Sequence, residues 1–272
     1  MQLHYRLYGD LQAAAKPPLM LLHGLLGSSS NWAGIAPRLV EQGHVCLVPD
    51  LRNHGRSPQD HHMDYPLMAG DLLRLLDNLE LEQVVPIGHS MGAKAAMWLA
   101  LSYADRVDRL VAVDMAPVPS PNRFEPIFDA LLSLDLQQIS SRQQAEEYLA
   151  ESLASPMLRQ YLLQNLLPGD EQQGWRWRVN LRVLDAALEQ ILDFPPLDAV
   201  SAFQGDALFL YGAESNYVST ESAPSIQRLF PFARLRAVPG AGHWVYAEQP
   251  EAFLAALLNF LDLGAKPQPK IC

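Results

Sequence analysis

The stretch Val84-Val85-Pro86-Ile87-Gly88-His89-Ser90-Met91-Gly92-Ala93 decides the fold of this chain. Its first four residues form an apolar run that reads as a buried strand. Downstream, Ala93, Ala96, Met97, Ala100 and Leu101 recur at the spacing of one helix face. Between strand and helix stands Gly-x-Ser-x-Gly, and a sharp strand-to-helix turn at that pattern is a nucleophile elbow. Its serine is expected at positive φ, a region that costs a residue with a Cβ about 1–3 kcal/mol. Gly88 and Gly92 keep the turn free of clashes where the two elements close together. The strain lifts the Ser90 hydroxyl out of the sheet, where a base and a substrate can reach it.

Outward from the elbow, short runs rich in Val, Leu and Ile alternate with helical patterns. The strand candidates are Leu3 to Tyr8, Leu19 to Leu22, Val45 to Val48, Val84 to Ile87, Leu110 to Val113, Ala207 to Tyr211 and Arg234 to Val238. Most lack inside/outside alternation, as parallel strands covered on both faces should. Helices are expected over Ile35 to Glu41, Pro66 to Leu79, Met91 to Tyr103, Ala223 to Phe230 and Pro250 to Leu261. This alternation implies an α/β fold: a mostly parallel twisted sheet with helices on both faces.

The rhythm breaks between Pro117 and Phe203, which carries several helices and no long strand. Phe124, Ile127, Phe128 and Leu131 make one apolar face. Ser141-x-x-Gln144 reads as a capping box, and Ser155-Pro156 as a further helix start. Leu181, Leu184, Leu188 and Ile191 mark a fourth helix. The chain therefore divides into a core, residues 1–116 and 204–272, and an inserted helical lid, residues 117–203. A separate helical domain with its own partner is the competing reading. The tail at 266–270 reads as disordered.

A chain of 272 residues, nearly half of it apolar, suits one α/β domain with an insertion. A net charge of −10 with interspersed signs argues against nucleic acid, which needs a basic footprint. Cys46 and Cys272 suggest neither a disulfide framework nor a zinc site, and no cofactor is called for. The N-terminal residues lack a secretory pattern, and no apolar stretch is long enough to span a membrane. A cytoplasmic protein is expected, monomer or homodimer, with a small-molecule partner.

Serine needs a base within hydrogen-bond reach. His243 is the candidate, because Gly240-Ala241-Gly242-His243-Trp244 forms a glycine-rich loop after the last strand and before the last helix. His61 and His62 adjoin Asp60 and Asp64, but adjacent residues rarely converge on one ion, so no metal site is assigned. His89 is expected to pack beside the elbow, and His54 to hold a turn or to reach the rim of the site. An orienting carboxylate must hold the imidazole tautomer. The usual acid turn, after Ala207 to Tyr211, reads Gly212-Ala213-Glu214-Ser215, with serine in the acid slot and Glu214 one residue early. Asp114 ends the strand beside the one that carries Ser90. Asp114 is preferred, and Glu214 stays as the alternative. Oxyanion donors are expected from the backbone N–H groups of Met91 and Leu25, the latter in His23-Gly24-Leu25-Leu26-Gly27. Their side chains are then free to line an acyl pocket with Trp32, Trp244, Phe124, Phe128 and Trp175. Arg176 or Arg178 could meet the phosphates of a CoA leaving group.

Together these residues resemble the α/β-hydrolase superfamily from Leu19 to the last helix. More narrowly, the chain looks like the YbfF-type esterases and the mitochondrial ABHD-type hydrolases. Asn53-His54-Gly55, Gly88-His89-Ser90-Met91-Gly92-Ala93-Lys94, Asp114-Met115-Ala116-Pro117-Val118, Trp177-Arg178-Val179-Asn180-Leu181 and Gly242-His243-Trp244 carry that likeness. The resemblance implies an α/β-hydrolase fold, a cofactor-free serine esterase or acyl-CoA thioesterase, and an acid after the strand before the lid. Ala93 departs from the pattern, where a second glycine is usual, and its methyl is expected to narrow the site. The expected reaction is cleavage of a small acyl ester or thioester through an acyl-serine. The same machinery supports C–C bond hydrolysis or perhydrolysis, and a hydrolase fold can also serve as a non-catalytic ligand receptor.

Overall fold

Every residue of the strand that precedes the elbow is buried, and that strand lies at the centre of the sheet. The computed structural model describes residues 1–169, 174–197 and 200–262. Cys272 and the 266–270 tail lie outside the described residues. In chain order the first half runs β1 (Tyr5–Tyr8), β2 (Leu19–Leu22), α1 (Ala36–Glu41), β3 (Cys46–Pro49), α2 (Tyr65–Asn78), β4 (Val85–His89), α3 (Met91–Ser102) and β5 (Arg109–Val113). There follow α4 (Glu125–Ser133), α5 (Arg142–Ala150), α6 (Pro156–Leu163), β6 (Leu166–Pro168), β7 (Trp175–Trp177), α7 (Leu181–Ala186) and α8 (Leu188–Leu192). The chain then resumes the alternation with β8 (Asp206–Gly212), α9 (Ala223–Leu229), β9 (Ala233–Val238), α10 (Val245–Glu248) and α11 (Pro250–Asp262).

The main sheet has seven strands in the order β1-β3-β2-β4-β5-β8-β9. All neighbours pair in parallel except β1 with β3, which are antiparallel. All residues of β2, β3 and β4 are buried, which explains why these runs show no polar alternation. Register then positions the chemistry. Leu22 lies opposite Gly88, His89 opposite Val113, and Val113 opposite Leu210. The carboxyl ends of β2, β4, β5 and β8 therefore reach one edge together, the edge where ligands bind in open α/β sheets.

Both faces of the sheet are covered. Leu21, Ile87 and Val111 pack with Leu39, Leu257 and Phe260 from α1 and α11. On the other face Leu22, Leu47 and Ala112 pack with Leu72 and Leu76 of α2 and with Met97 of α3. The helices of the inserted segment, through Phe128, Leu131, Leu162 and Leu184, join this second core rather than forming one of their own.

Inside that segment the structure departs from the sequence reading in three places. Leu166–Pro168 and Trp175–Trp177 form a two-stranded antiparallel hairpin, too short to show a period in sequence. The expected fourth helix is two, α7 and α8, divided at Ala187. Ser141 does accept a hydrogen bond from Gln144 N, but Gln144 Oε1 turns to Ser140 instead of closing the box. Among the described residues no helix is long and apolar enough to cross a membrane.

Candidate active site

Ser90 sits between β4 and α3 at φ 55° and ψ −119°, the strained geometry the motif requires. A Cβ on Gly88 would stand 2.1 Å from Gly92 O, and one on Gly92 would stand 2.6 Å from Leu22 O and His23 O. Only glycine lets strand, helix and the neighbouring loop approach that closely. Ala93 is fully buried in the core and does not line the cavity beside Ser90, so the expected narrowing does not occur.

Asp114 follows β5 and is itself strained, at φ 50°, with no exposed surface. Its backbone N–H donates to Leu210 O at 2.9 Å, which fixes it to the end of β8. His243 Nδ1 donates to Asp114 Oδ2 at 2.6 Å, Ser215 Oγ donates to the same oxygen at 2.6 Å, and Gly212 N donates to Oδ1 at 3.1 Å. The serine in the expected acid slot thus supplies a hydroxyl to a carboxylate that arrives from the next strand. Glu214 is exposed and meets neither His243 nor Ser90. Between the two carboxylates left open by sequence, the structure brings Asp114 to the imidazole.

His243 is held from several sides. Glu248, one turn later, accepts from Gly242 N at 2.6 Å and Trp244 N at 3.1 Å, so one carboxylate brackets the histidine. Tyr217 lies against the imidazole with ring centroids 4.3 Å apart. His89 Nε2 donates to His243 O at 2.9 Å. Burial, then the nearby His243, push His89 well below the ordinary imidazole range, so it is a neutral support for the loop. Glu248 escaped the sequence reading, because it belongs to no motif that announces a role.

The loop after β2 is supported by two buried histidines. His23 Nδ1 donates to Gly24 O, and its Nε2 accepts from Leu51 N at 3.0 Å. His54 Nδ1 donates to Arg52 O at 2.8 Å, and its Nε2 accepts from Leu26 N at 3.1 Å. Burial, reinforced by neighbouring His23, lowers His54 to about 3. His54 therefore tethers the loop and does not reach the rim. In this loop Leu26 N is engaged by His54 and Gly27 N by Gly24 O, whereas Leu25 N has no hydrogen-bond acceptor among the described residues. Met91 N is the first amide of α3 and has no intrahelical acceptor.

Ser90, His243, Leu25, Phe124 and Trp244 line one small cavity of about 40 Å³. Gly24, Leu26 and His89 complete its floor, and Ile127, Leu158, Tyr161 and Leu162 form its roof. Three expected pocket residues are elsewhere. Trp32 is fully buried beneath the sheet, stacked on Tyr246 at 4.4 Å. Phe128 points into the core next to Ile127, which takes its place. Trp175 lies on the β6–β7 hairpin. The Met91 side chain is likewise core rather than pocket. Helix periodicity identified an apolar face on α4, but it does not distinguish residues that face the core from residues that face a cavity.

A family model described as the alpha/beta hydrolase fold matches residues 17–250. The chain belongs to the α/β-hydrolase family. It is 42% identical over 269 residues to the sn-1-specific diacylglycerol lipase ABHD11 of Xenopus laevis, covering 96% of this chain and 84% of that one. It is 38% identical to esterase YbfF of Escherichia coli (strain K12), covering 90% and 93%. A solved structure, a marine microorganism esterase, superposes with a TM-score of 0.89 at 36% identity, covering 95% and 99%. These relatives set the class of this α/β-hydrolase: it is a carboxylic ester hydrolase.

Proposed function

We propose that the protein cleaves small acyl esters or thioesters through an acyl-serine formed on Ser90. One observation carries the reading. A strained serine and an imidazole tied to a buried carboxylate at 2.6 Å line the same cavity at the carboxyl edge of the sheet. In the proposed cycle His243 takes the Ser90 proton and the oxygen attacks the carbonyl. Asp114 holds the tautomer and stabilises the imidazolium. The amides of Leu25 and Met91 receive the oxyanion. His243 then protonates the leaving alcohol or thiol, and water releases the acid in the reverse sequence.

The segment 117–203 acts as a lid over a core made of 1–116 and 204–272. A cavity of about 40 Å³ is far below the ~300–1,000 Å³ that ligand pockets usually offer, so α4 and α6 must yield to admit an acyl chain. Phe124 and Trp244 then contact the substrate. The name of the Xenopus laevis relative brings diacylglycerol into the set of substrates to test. The buried thiol of Cys46 is in keeping with a reducing, cytoplasmic setting. A panel of p-nitrophenyl esters of increasing chain length, run beside acyl-CoA thioesters and diacylglycerol, tests the proposal. Saturable turnover that vanishes in Ser90→Ala is expected. Turnover that survives Ser90→Ala removes the acyl-serine from the account.

A further inference from the structure

A second concavity, larger than the one at Ser90, opens between the β6–β7 hairpin and the turn after β3. It is a groove of about 600 Å³ whose lining includes Gly55, Arg56, Ser57, Gln59, Arg176 and Arg178. A fourth arginine, Arg6 on β1, acts electrostatically on Arg178 together with Arg56 and Arg176. Three guanidinium groups thus line one groove, with Arg6 in electrostatic reach, on a chain of net charge −10. Among the described residues none of the four forms an ion pair, whereas Arg38, Arg52, Arg106, Arg109 and Arg159 each have a carboxylate within reach.

The carboxylate that faces the cluster is already occupied. Asp50 is buried, with Oδ1 accepting from Ser29 N at 2.6 Å and Oδ2 from Arg56 N at 2.9 Å. His4 Nδ1 lies 3.1 Å from the same Oδ2. Partial burial, then Arg56, Arg176 and Arg6, hold the Arg178 guanidinium below the usual arginine range, while Asp50 opposes them. Like charges held together repel, and an incoming anion relieves that repulsion. The groove is also built rather than draped. Gly55 adopts φ 56° directly against the Asp50 carboxylate, Ser57 Oγ donates to Asp50 O, and Gln59 Nε2 reaches Arg178 O at 3.4 Å.

We propose that this groove is a binding site for a phosphate-bearing anion, with the Arg56, Arg176 and Arg178 guanidiniums as its donors. Planar guanidiniums meet phosphate oxygens in paired, charge-assisted hydrogen bonds, and several converging forks select a group with two or more negative charges. The groove also has a physical link to the serine. Arg178 N donates to Asn165 O at 2.8 Å, and Asn165 Nδ2 donates to Leu26 O at 2.6 Å, in the loop that carries the proposed oxyanion donor. The phosphate belongs either to the leaving group of a substrate whose acyl end reaches Ser90, or to a separate ligand.

Calorimetric titration with inorganic pyrophosphate at low ionic strength tests the site without relying on turnover. Saturable binding is expected for the wild-type chain. Arg176→Ala and Arg56→Ala, both changes at exposed side chains, should each weaken it about tenfold or more. No saturable binding, or binding that both variants leave unchanged, overturns the proposal. The two sources separate on kcat/KM for a p-nitrophenyl ester and for an ester of the same acid with a phosphorylated alcohol. A selective loss of about tenfold on the phosphorylated ester places the phosphate in the substrate. Unchanged values on both esters, with pyrophosphate binding lost, place it in a separate ligand.

Discussion

The elbow side and the roof of the cavity are built by different physics. On the elbow side each proposed catalytic group is fixed by backbone: Ser90 and Asp114 at positive φ, His243 between two amides held by Glu248. The roof consists of apolar side chains from α4 and α6, anchored by a few polar ties such as Tyr161 Oη to Leu25 O at 2.8 Å. Lys94 fixes the ends of the inserted segment, donating to Ser120 Oγ, Leu192 O and Asp193 O at 2.7–3.1 Å. The floor is over-determined, so small changes there should be costly. The roof is held by packing, which adjusts, so changes there should alter selectivity more than rate.

The largest effect expected from this contrast is at Ser90, the proposed nucleophile. Ser90→Ala should lower kcat by about 10⁴–10⁶, with only binding and the oxyanion amides left to act. A comparable rate in the variant would put the reaction elsewhere on the chain. Next comes the carboxylate. Asp114→Asn should lower kcat by about 10²–10⁴, whereas Glu214→Gln should stay within about twofold. The reverse ranking would break the assignment of the floor.

A smaller effect concerns stability. The folded His54, at about 3, binds its proton only well below the ordinary imidazole value, so between these two pH values the unfolded chain carries the extra proton. Folding stability should therefore be fully present near neutrality and drain away as pH falls from about 6.5 toward 3. At about 1.4 kcal/mol per unit, His54 accounts for up to several kcal/mol of that loss. Thermal midpoints measured from pH 7 to pH 4 should fall more steeply in the wild-type chain than in His54→Asn. Parallel curves would remove His54 from the support of the loop. The smallest effect belongs to the roof: Leu158→Ala should shift the preferred acyl length upward, changing kcat/KM by less than about tenfold. A loss equal on every ester would mean that Leu158 serves the floor instead.

Much of the floor was legible in sequence because its rules are backbone rules. Gly88 and Gly92 flanking a serine leave one geometry open, and Asp114 at the end of β5 reaches the elbow edge simply because β5 neighbours β4. Even the serine in the usual acid slot carried information, since Ser215 bonds the carboxylate that replaces it. The roof was not legible in the same way. Ile127 and Phe128 are adjacent apolar residues on α4, and only packing decides that the first faces the cavity and the second the core. Trp32 misled for the same reason, as aromatic bulk near a catalytic loop fits a core as well as a pocket. Tyr161 acts through a long-range contact to Leu25 O, and Glu248 through two nearby backbone amides, and no motif encodes either.

Reaction with a fluorophosphonate, followed by peptide mass spectrometry, tests the central claim most directly. One phosphonyl adduct per chain, on the peptide carrying Ser90, is expected, with labelling much slower in Asp114→Asn. Ester turnover without an adduct at Ser90, or an adduct on a different residue, contradicts it.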